Sequence, residues 1–271
     1  MIKAIFFDLD GTLLNSEKRI TDNTHLALKA CKEKGIKIFP ATGRPPLLNY
    51  ILPLRHEDFE LINDGGVFYN GACVSFGQWK QYATIDESII NEVIRTVEKY
   101  PDIYVALQMK DEKHSFNFCI HENDLSTWGI TANNIIPYNT YNNKDTVKIY
   151  IFSHNYSIDL NSLYSELKPL IGSTSSMYLT YEGKTIEIAG KNVSKKSGIE
   201  TIIDFMGINE SDVAVFGDDM NDLEMLSSFS NSIAMGNACD EIKAVSKYIT
   251  YDNESDGIYY ALKEILGLIE A

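Results

Sequence analysis

Apolar and polar positions follow two different patterns along the chain. Near both ends, short apolar runs alternate with helical segments, and the runs at residues 3–7, 36–41 and 212–216 are each followed within two residues by a polar side chain. Uniformly apolar runs of this length are typical of strands that are buried on both faces of a parallel sheet. The alternation of strand and helix therefore predicts an α/β unit to which both ends of the chain contribute.

The helices between these runs have recognisable ends. Thr21 is a candidate N-cap and Gly35 lies where that helix should stop, while Ser194 can cap a helix that runs to a stop at Gly207. The pairs that predict one apolar face on the first helix are Leu26 with Ala30 and Ala27 with Cys31. The remaining C-terminal predictions are helices over 221–227, 240–245 and 257–269 and strands over 232–235 and 248–250.

The middle of the chain has a different pattern. Residues 86–100 and 160–170 are amphipathic at helical spacing. The apolar/polar alternating runs between and after them, at 104–109, 116–120, 147–152 and 177–188, predict a mainly antiparallel sheet. We therefore predict a Rossmann-like parallel-sheet core with an inserted α+β cap: core over 1–82, cap over 83–190, and core again over 191–271.

Composition narrows the function classes. The chain has 271 residues, 44% of them apolar, with 38 acidic and 24 basic side chains and a net charge of −14. An acidic surface repels nucleic acid and anionic membranes, so we expect neither as a partner. No run approaches the roughly 20 apolar residues of a membrane span, and the N-terminus lacks the pattern of a signal peptide.

The cysteines and histidines indicate no metal or disulfide framework. The four cysteines are widely and irregularly spaced, no Cys-x-x-Cys pair occurs, and the five histidines form no His-Glu-x-x-His. We therefore expect no zinc site and reduced thiols, which places the protein in the cytoplasm.

The first candidate site follows the N-terminal apolar run, in Asp8-Leu9-Asp10-Gly11-Thr12. Ligands bind open α/β sheets at the carboxyl ends of the strands, and two carboxylates there repel unless a cation lies between them. Gly11 permits a turn that Thr12 can fix with its hydroxyl. A hard cation with oxygen ligands, Mg²⁺ above all, satisfies this arrangement; the alternative is an ordinary Asp-Gly turn.

A second acidic loop, Gly217-Asp218-Asp219-Met220-Asn221-Asp222, also follows an apolar run. Asp218 is the best further metal ligand, because it comes directly after the strand end. Asp222 begins a helix, so it can support the site from behind or simply cap exposed N–H groups.

Two further segments offer contacts for an anion. Thr42 and Gly43 end the second apolar run and would present a hydroxyl and backbone N–H groups; the alternative is a plain strand-to-helix turn beside a solvated Arg44. Lys195 and Lys196 lie in the first turn of a predicted helix, where cations are disfavoured. A bound phosphate would account for one lysine at this unfavourable position, and the alternative is that both are ordinary surface residues. Their position along the chain does not show which of the two would bind phosphate.

Together these motifs resemble the haloacid dehalogenase (HAD) superfamily of phosphotransferases, and more narrowly the Cof-like sugar phosphatases of subfamily IIB. The matching segments, which span the whole chain in order, are 8–12, 41–44, 193–195 and 217–222, with weaker matches at 235–238 and 256–257. The cap insertion falls between the second and third of them, as it does in that subfamily. One segment departs from the pattern: the family often has Asn-Gly-Ala after the third strand, and 63–66 places Asp64 where that Asn would fall.

The resemblance implies a role for each residue. Asp8 would be the nucleophile and a metal ligand, and Asp10 would be the general acid/base and bind the metal through its backbone carbonyl. The remaining implied contacts are Thr42 and Gly43 holding the phosphoryl group, Lys195 neutralising it, Asp218 binding Mg²⁺ and Asn221 contacting phosphate. The implied reaction is Mg²⁺-dependent hydrolysis of a small phosphorylated metabolite, with sugar phosphates first among the candidates, through an aspartyl-phosphate.

Three other functions compete with this one. An ion pump would need membrane helices and gains nothing from an acid at Asp10. A sugar phosphomutase shares the motifs but would need anion contacts in the cap, where the sole arginine between 83 and 190 is Arg95. A regulatory binding module with a relic site is disfavoured by the complete set of motif residues.

Overall fold

The computed structural model describes residues 1–128, 130–138, 143–172 and 174–270. Strands and helices are numbered separately in chain order. The strands are β1 (Ala4–Phe7), β2 (Lys37–Pro40), β3 (Gly65–Phe68), β4 (Cys73–Phe76), β5 (Trp79–Tyr82), β6 (Ile103–Met109), β7 (His114–Phe116), β8 (Thr146–Ser153), β9 (Ser175–Thr180), β10 (Thr185–Gly190), β11 (Val213–Gly217), β12 (Ser232–Ala234) and β13 (Tyr248–Ile249). The α-helices are α1 (Asp22–Glu33), α2 (Leu48–Ile51), α3 (His56–Leu61), α4 (Glu87–Val97), α5 (Leu125–Trp128), α6 (Asn161–Ile171), α7 (Lys195–Met206), α8 (Leu223–Ser228), α9 (Asp240–Val245) and α10 (Gly257–Tyr260).

The core sheet is parallel and has the strand order β13-β12-β11-β1-β2. β1 lies between β11 and β2, with Phe7 beside Phe216 of β11 on one side and beside Pro40 of β2 on the other. The residues that follow these three strands therefore meet at one edge of the sheet. The predicted parallel α/β core is confirmed.

Alternate residues of β1 pack into two hydrophobic clusters, one on each face of the core sheet. Ile5 and Phe7 lie in the cluster that includes α1 and α10. Ala4 and Phe6 lie in the cluster that includes α7, α8 and α9. Burial on both faces is the reason that the strand reads as one uninterrupted apolar run.

The cap sheet is antiparallel, with the order β7-β6-β8-β10-β9. One face packs on α4 and α6 through residues such as Val105, Ile149 and Ile188. The other face carries a second cluster around Phe116 and contacts Leu47 of the core. The predicted α+β insert with an antiparallel sheet is confirmed.

A third, three-stranded sheet, β3-β4-β5, has no counterpart among the sequence predictions. It continues the core, since Ala41 after β2 bridges Val67 of β3 in parallel. Its strands have four residues each and contain or adjoin several glycines, so they present no long alternating run.

Three sequence predictions need correction. The run at 116–120 is a strand only as far as Phe116; the Asn117 N–H still donates to Val105 O, and its side chain bonds the backbone of Val105 and of Ile103. The helix predicted to reach residue 269 continues from α10 only as a π-helical turn over Ala261–Ile265, after which Gly267 takes a left-handed conformation. Leu26 does not share the buried face of α1; its surface is 61% exposed.

Among the described residues, every helix is too short or too polar to span a bilayer.

Candidate active site

Three carboxylates converge at the carboxyl edge of the core sheet. Asp8 follows β1, while Asp218 and Asp222 follow β11. One carboxylate oxygen from each lies within 4.8 Å of the other two. Asp8 is 6% exposed and Asp222 is fully buried, so their charges are shielded by protein rather than by water. Oxygen ligands at this spacing could hold a hard divalent cation.

The turn after Asp10 places Asp218 against the first loop. The Thr12 hydroxyl donates to Asp218 Oδ1 at 2.6 Å. Gly11 has φ +80°, and a Cβ on it would lie 2.3 Å from Asp218 Oδ2. Glycine is therefore required here both for the backbone conformation and for the close approach of the carboxylate. Gly11 turns the chain as the sequence predicted, whereas the Thr12 hydroxyl bonds the second acidic loop instead of its own turn.

Lys195 is fully buried among the carboxylates. Its Nζ donates to Asp8 Oδ1 at 2.8 Å and to Asp222 Oδ1 at 2.6 Å. The Ser194 hydroxyl accepts a hydrogen bond from the Ser197 N–H and caps α7, which fixes the backbone position of Lys195 at the start of that helix. Lys196 lies on the surface and pairs with Glu200. The structure therefore selects Lys195 of the two lysines.

Asp222 supports the acidic loop from behind; it is the N-cap residue of α8, but its side chain makes no capping hydrogen bond to that helix. Its Oδ2 accepts the backbone N–H groups of Asp218 at 2.9 Å and Asp219 at 3.2 Å, while its Oδ1 accepts from Lys195. One buried carboxylate thus ties the acidic loop to the lysine.

The electrostatics of this cluster favour a bound cation. Burial raises the pKa of Asp8 to about 7; Lys195 opposes that shift, and the charge of Asp222 adds to it. Burial likewise raises the pKa of Asp218, with the charges of Asp8 and Asp222 contributing. The pKa of Lys195 is raised, because its carboxylate partners outweigh its burial. Three carboxylates against one ammonium leave an excess of negative charge that a divalent cation would balance.

The carboxylate of Asp10 is not part of this cluster. Its carboxylate is held by Arg44, with Nε at 2.5 Å and Nη2 at 2.7 Å, and by Lys18 Nζ at 2.7 Å. Burial favours the neutral acid, but these hydrogen bonds and charges lower the pKa of Asp10 to about 2. Arg44 is therefore not solvated, which was one of the two alternatives from the sequence. The carboxylate cluster contains Asp222 rather than the side chain of Asp10.

Thr42 and Gly43 follow β2 at the same edge of the sheet as the carboxylates. Thr42 is 1% exposed, its N–H donates to Val67 O, and its hydroxyl accepts the N–H of Arg44 at 3.1 Å. The loop is held from the other side by Asn70, whose N–H donates to Thr42 O at 3.0 Å. The predicted anion-binding segment is thus an ordered loop at the same sheet edge.

Asn70 is the functional candidate that the sequence reasoning missed. Its Oδ1 accepts from Asn221 Nδ2 at 3.2 Å, and it belongs to the Asn-Gly-Ala at 70–72. Asp64 lies at the amino end of β3, where Lys37 Nζ contacts it at 3.2 Å. Since β3 runs parallel to β2, that end is opposite to the site. The departure assigned to Asp64 was therefore wrong: the motif lies six residues further on, and it was readable in the sequence.

Comparison with known proteins agrees with this geometry. The family of haloacid dehalogenase-like hydrolases matches residues 5–262. Two Bacillus subtilis (strain 168) proteins named 5-amino-6-(5-phospho-D-ribitylamino)uracil phosphatase are similar over nearly their whole lengths: YitU is 27% identical over 97% of both chains, and YcsE is 24% identical over 97% of this chain and 95% of its own.

Solved structures show the same similarity. The HAD subclass IIB sugar phosphatase BT4131 superposes with a TM-score of 0.83 at 28% identity, covering 98% of this chain and 100% of its own. A structure from a study of a trigonal-bipyramidal intermediate in a phosphoryl-transfer superfamily gives a TM-score of 0.84 at 28% identity over 99% and 100%. The chain therefore belongs to the haloacid dehalogenase-like hydrolases of the Cof type, and it is an enzyme of the phosphatase class.

Proposed function

We propose that this enzyme is a Mg²⁺-dependent phosphatase that hydrolyses small phosphate monoesters, sugar phosphates above all, through a phosphoryl group carried on Asp8. The observation that carries the proposal is the position of Asp8 at the carboxyl edge of the sheet, where it accepts a hydrogen bond from the Lys195 ammonium and lies in one cluster with the carboxylates of Asp218 and Asp222. An attacking carboxylate there has both a cation and a candidate metal site beside it.

The donor set suits Mg²⁺, which prefers oxygen ligands. Asp8 and Asp218 would hold it together with the backbone carbonyl of Asp10, and Asp222 would orient Asp218 from behind. When bound, the ion would neutralise charge on the phosphoryl oxygens and on the attacking carboxylate.

In the first step, a carboxylate oxygen of Asp8 forms a bond to phosphorus as the ester P–O bond breaks. Lys195 already donates to Asp8, so it lies within reach of the phosphoryl oxygens as they approach. The leaving oxygen takes its proton from Asp10. Because Arg44 and Lys18 keep Asp10 ionised, this donation requires the carboxyl group to leave Arg44 and gain a proton.

In the second step, water attacks the phosphorus of the aspartyl-phosphate. Asp10, now ionised, takes the proton from that water, and the P–O bond to Asp8 breaks to release inorganic phosphate and the free carboxylate. Asp10 thus serves as acid and then as base, so the cycle ends with Asp8 ionised and Asp10 protonated, the two states in which the first step begins.

The substrate class and location belong to the same proposal. One relative is named a 5-amino-6-(5-phospho-D-ribitylamino)uracil phosphatase and one neighbour a sugar phosphatase, which supports small hydroxylated monoesters as substrates. The four cysteines are unpaired within the described chain. Cysteines without disulfides are typical of a reducing compartment, which supports a cytoplasmic location. Arg95 pairs with Glu92 on the surface, which speaks against a phosphomutase that binds a second phosphate in the cap.

The test is hydrolysis of p-nitrophenyl phosphate with Mg²⁺ and with EDTA. We expect turnover that EDTA abolishes and added Mg²⁺ restores, and a loss of about 10³-fold or more in kcat for Asp8→Asn, which removes the nucleophile. Rapid acid quench with ³²P-labelled substrate should trap labelled wild-type protein.

The matched control is Asp64→Asn, the same substitution at the opposite edge of the sheet, which should retain activity. No turnover by the wild type with any divalent cation, or full turnover by Asp8→Asn, would overturn the proposal.

A further inference from the structure

One weak sequence motif, at residues 235–238, has no part in the proposed reaction, although it follows β12 at the same edge of the core sheet as the carboxylates. Its exposed residue is Asn237. The side-chain Nδ2 of Asn237 donates to the carbonyl oxygen of Gly11 at 2.8 Å and lies 3.5 Å from Asp218 Oδ2. A single amide therefore joins the two acidic loops.

The backbone that leads to Asn237 is held on both sides. The Met235 N–H donates to Gly217 O at 3.1 Å, at the end of β11. The Gly236 N–H donates to Tyr251 O at 3.0 Å. A Cβ on Gly236 would lie 2.7 Å from a backbone nitrogen of the chain that follows β13, so glycine is what allows this close approach. The position from which the Asn237 side chain starts is thus fixed by neighbouring strands.

The orientation of the Asn237 amide is fixed as well. Its Oδ1 accepts the backbone N–H of Asn253 at 3.3 Å, so its Nδ2 faces Gly11 O and the carboxylate. The reverse orientation would set N–H against N–H at one end and oxygen against oxygen at the other. The Asn253 side chain in turn donates to Leu14 O at 2.9 Å and ties down the loop after Asp10 a second time.

Both groups beside Asn237 belong to the candidate metal site. Gly11 directly follows Asp10, whose backbone carbonyl would bind the metal, and the bond to Gly11 O fixes the next peptide of that turn. Asp218 Oδ1 accepts from the Thr12 hydroxyl, and Asn237 lies at Oδ2. Each oxygen of Asp218 therefore has a neutral donor, which orients the carboxylate without a positive charge that would repel the metal.

We infer that Asn237 is a positioning residue for the metal site, which holds the Asp218 carboxylate and the Asp10–Gly11 turn at the spacing that a divalent cation requires. This inference rests on the Mg²⁺ site of the proposed function. An exposed amide can bond water equally well in the unfolded chain, so these contacts contribute little to folding. Their main effect is on the relative position of two loops that the cation must bridge.

The experiment measures metal binding directly, without substrate. Mn²⁺ accepts the same oxygen ligands as Mg²⁺, and the electron paramagnetic resonance signal of free Mn²⁺ gives the bound fraction. Asn237→Ala removes both contacts, so the Kd for Mn²⁺ should rise about tenfold. Excess Mn²⁺ should then restore most of the turnover of p-nitrophenyl phosphate, because the reacting groups are unchanged. Since the position is exposed, the longer amide of Asn237→Gln fits there and should recover part of the affinity.

The matched control is Asn231→Ala. The Asn231 side chain also donates to two backbone carbonyls, those of Ser211 at 3.2 Å and Val213 at 2.9 Å, but at the amino edge of the core sheet. This variant should lose at least as much stability in urea as Asn237→Ala, while its Kd for Mn²⁺ stays within about twofold of the wild type. An unchanged Kd in Asn237→Ala, or an equal rise in Asn231→Ala, would overturn the inference. Absence of Mn²⁺ binding by the wild type would instead contradict the metal site of the proposed function.

Discussion

At the scale of single residues, the site depends on side chains that hold the carboxylates in place. Thr12 is 1% exposed, and its hydroxyl donates to one oxygen of Asp218. Asp222 fixes the backbone of the same aspartate. Such partners restrict the rotation of a carboxylate ligand, so they affect metal affinity although they do not touch the metal.

This arrangement predicts the effect of Thr12→Val, a change that keeps the side-chain shape and removes the hydroxyl. Asp218 loses its 2.6 Å hydrogen bond, so the Mg²⁺ concentration for half-maximal activity should rise about tenfold. The value of kcat at saturating Mg²⁺ should stay within about threefold of the wild type, because the reacting groups are unchanged. A Mg²⁺ titration of p-nitrophenyl phosphate hydrolysis measures both quantities.

The control for that titration is Thr201→Val, which removes a hydroxyl bonded to the backbone of Ser197 within α7. It should leave the Mg²⁺ requirement unchanged. An equal Mg²⁺ requirement for Thr12→Val and the wild type would show that the hydroxyl does not position Asp218.

At the scale of elements, the N-terminus of α7 is positioned by the turn at Tyr69–Gly71. Gly71 has φ +103°, and a Cβ on it would lie 2.1 Å from the carbonyl oxygen of Ser194. Ser194 is the N-cap of α7 and directly precedes Lys195. The turn that carries Asn70 therefore also sets the depth at which Lys195 enters the carboxylate cluster.

We predict that Gly71→Ala and Gly207→Ala differ in a diagnostic way. Gly207 ends the same helix at φ +63° with no atom within 4 Å of a Cβ, so alanine there should lower the free energy of unfolding by about 1 kcal/mol and leave kcat unchanged. Gly71→Ala adds a backbone clash and should lower both stability, by about 3 kcal/mol, and kcat. Urea unfolding and steady-state kinetics test the pair; equal losses for both variants would contradict the positioning of α7 by this turn.

Elements with local signals were predictable from the sequence, and those defined by distant partners were not. Ser194 and Gly207 bound α7 as predicted, because a cap and a left-handed stop are local chemistry. The partner of Arg44 could not be predicted, since the choice between Asp10 and solvent depends on how two loops meet in space. Asn70 differs from both: its motif was present, but the short strands β3 to β5 gave no pattern by which to align it.

At the scale of the whole molecule, the response to pH combines opposing contributions. The net charge of −14 destabilises the folded state at neutral pH through repulsion among carboxylates. Protonation at mildly acidic pH relieves part of that repulsion. Burial raises the pKa of Asp8 to about 7, so this group also binds a proton in the folded state as the pH falls. One buried residue of the cap acts in the other direction.

That residue is His114 in β7, which is fully buried. The neutral ring satisfies its contacts when Nδ1 donates to the Glu112 carbonyl oxygen at 3.1 Å and Nε2 accepts from Gln108 Nε2 at 3.2 Å. A second ring proton would meet the Gln108 amide, and burial lowers the pKa of His114 to about 4, although Glu112 opposes the shift.

The last prediction follows from linkage. Above the unfolded-state pKa of about 6.5 the ring is neutral in both states and contributes no pH dependence. Below pH 6.5 the ring gains a proton in the unfolded chain, whereas in the folded protein it stays neutral down to about pH 4. The free energy of unfolding therefore decreases as the pH falls from about 6.5 to about 4. Between pH 7 and pH 5 the loss amounts to about 2 kcal/mol. The variant His114→Gln keeps an amide that can bond Gln108 but does not titrate. Between pH 7 and pH 5, its free energy of unfolding in urea should therefore fall by about 2 kcal/mol less than that of the wild type. The comparison cancels the carboxylates that both proteins share, so parallel pH profiles for the two proteins would show that His114 is protonated in the folded cap.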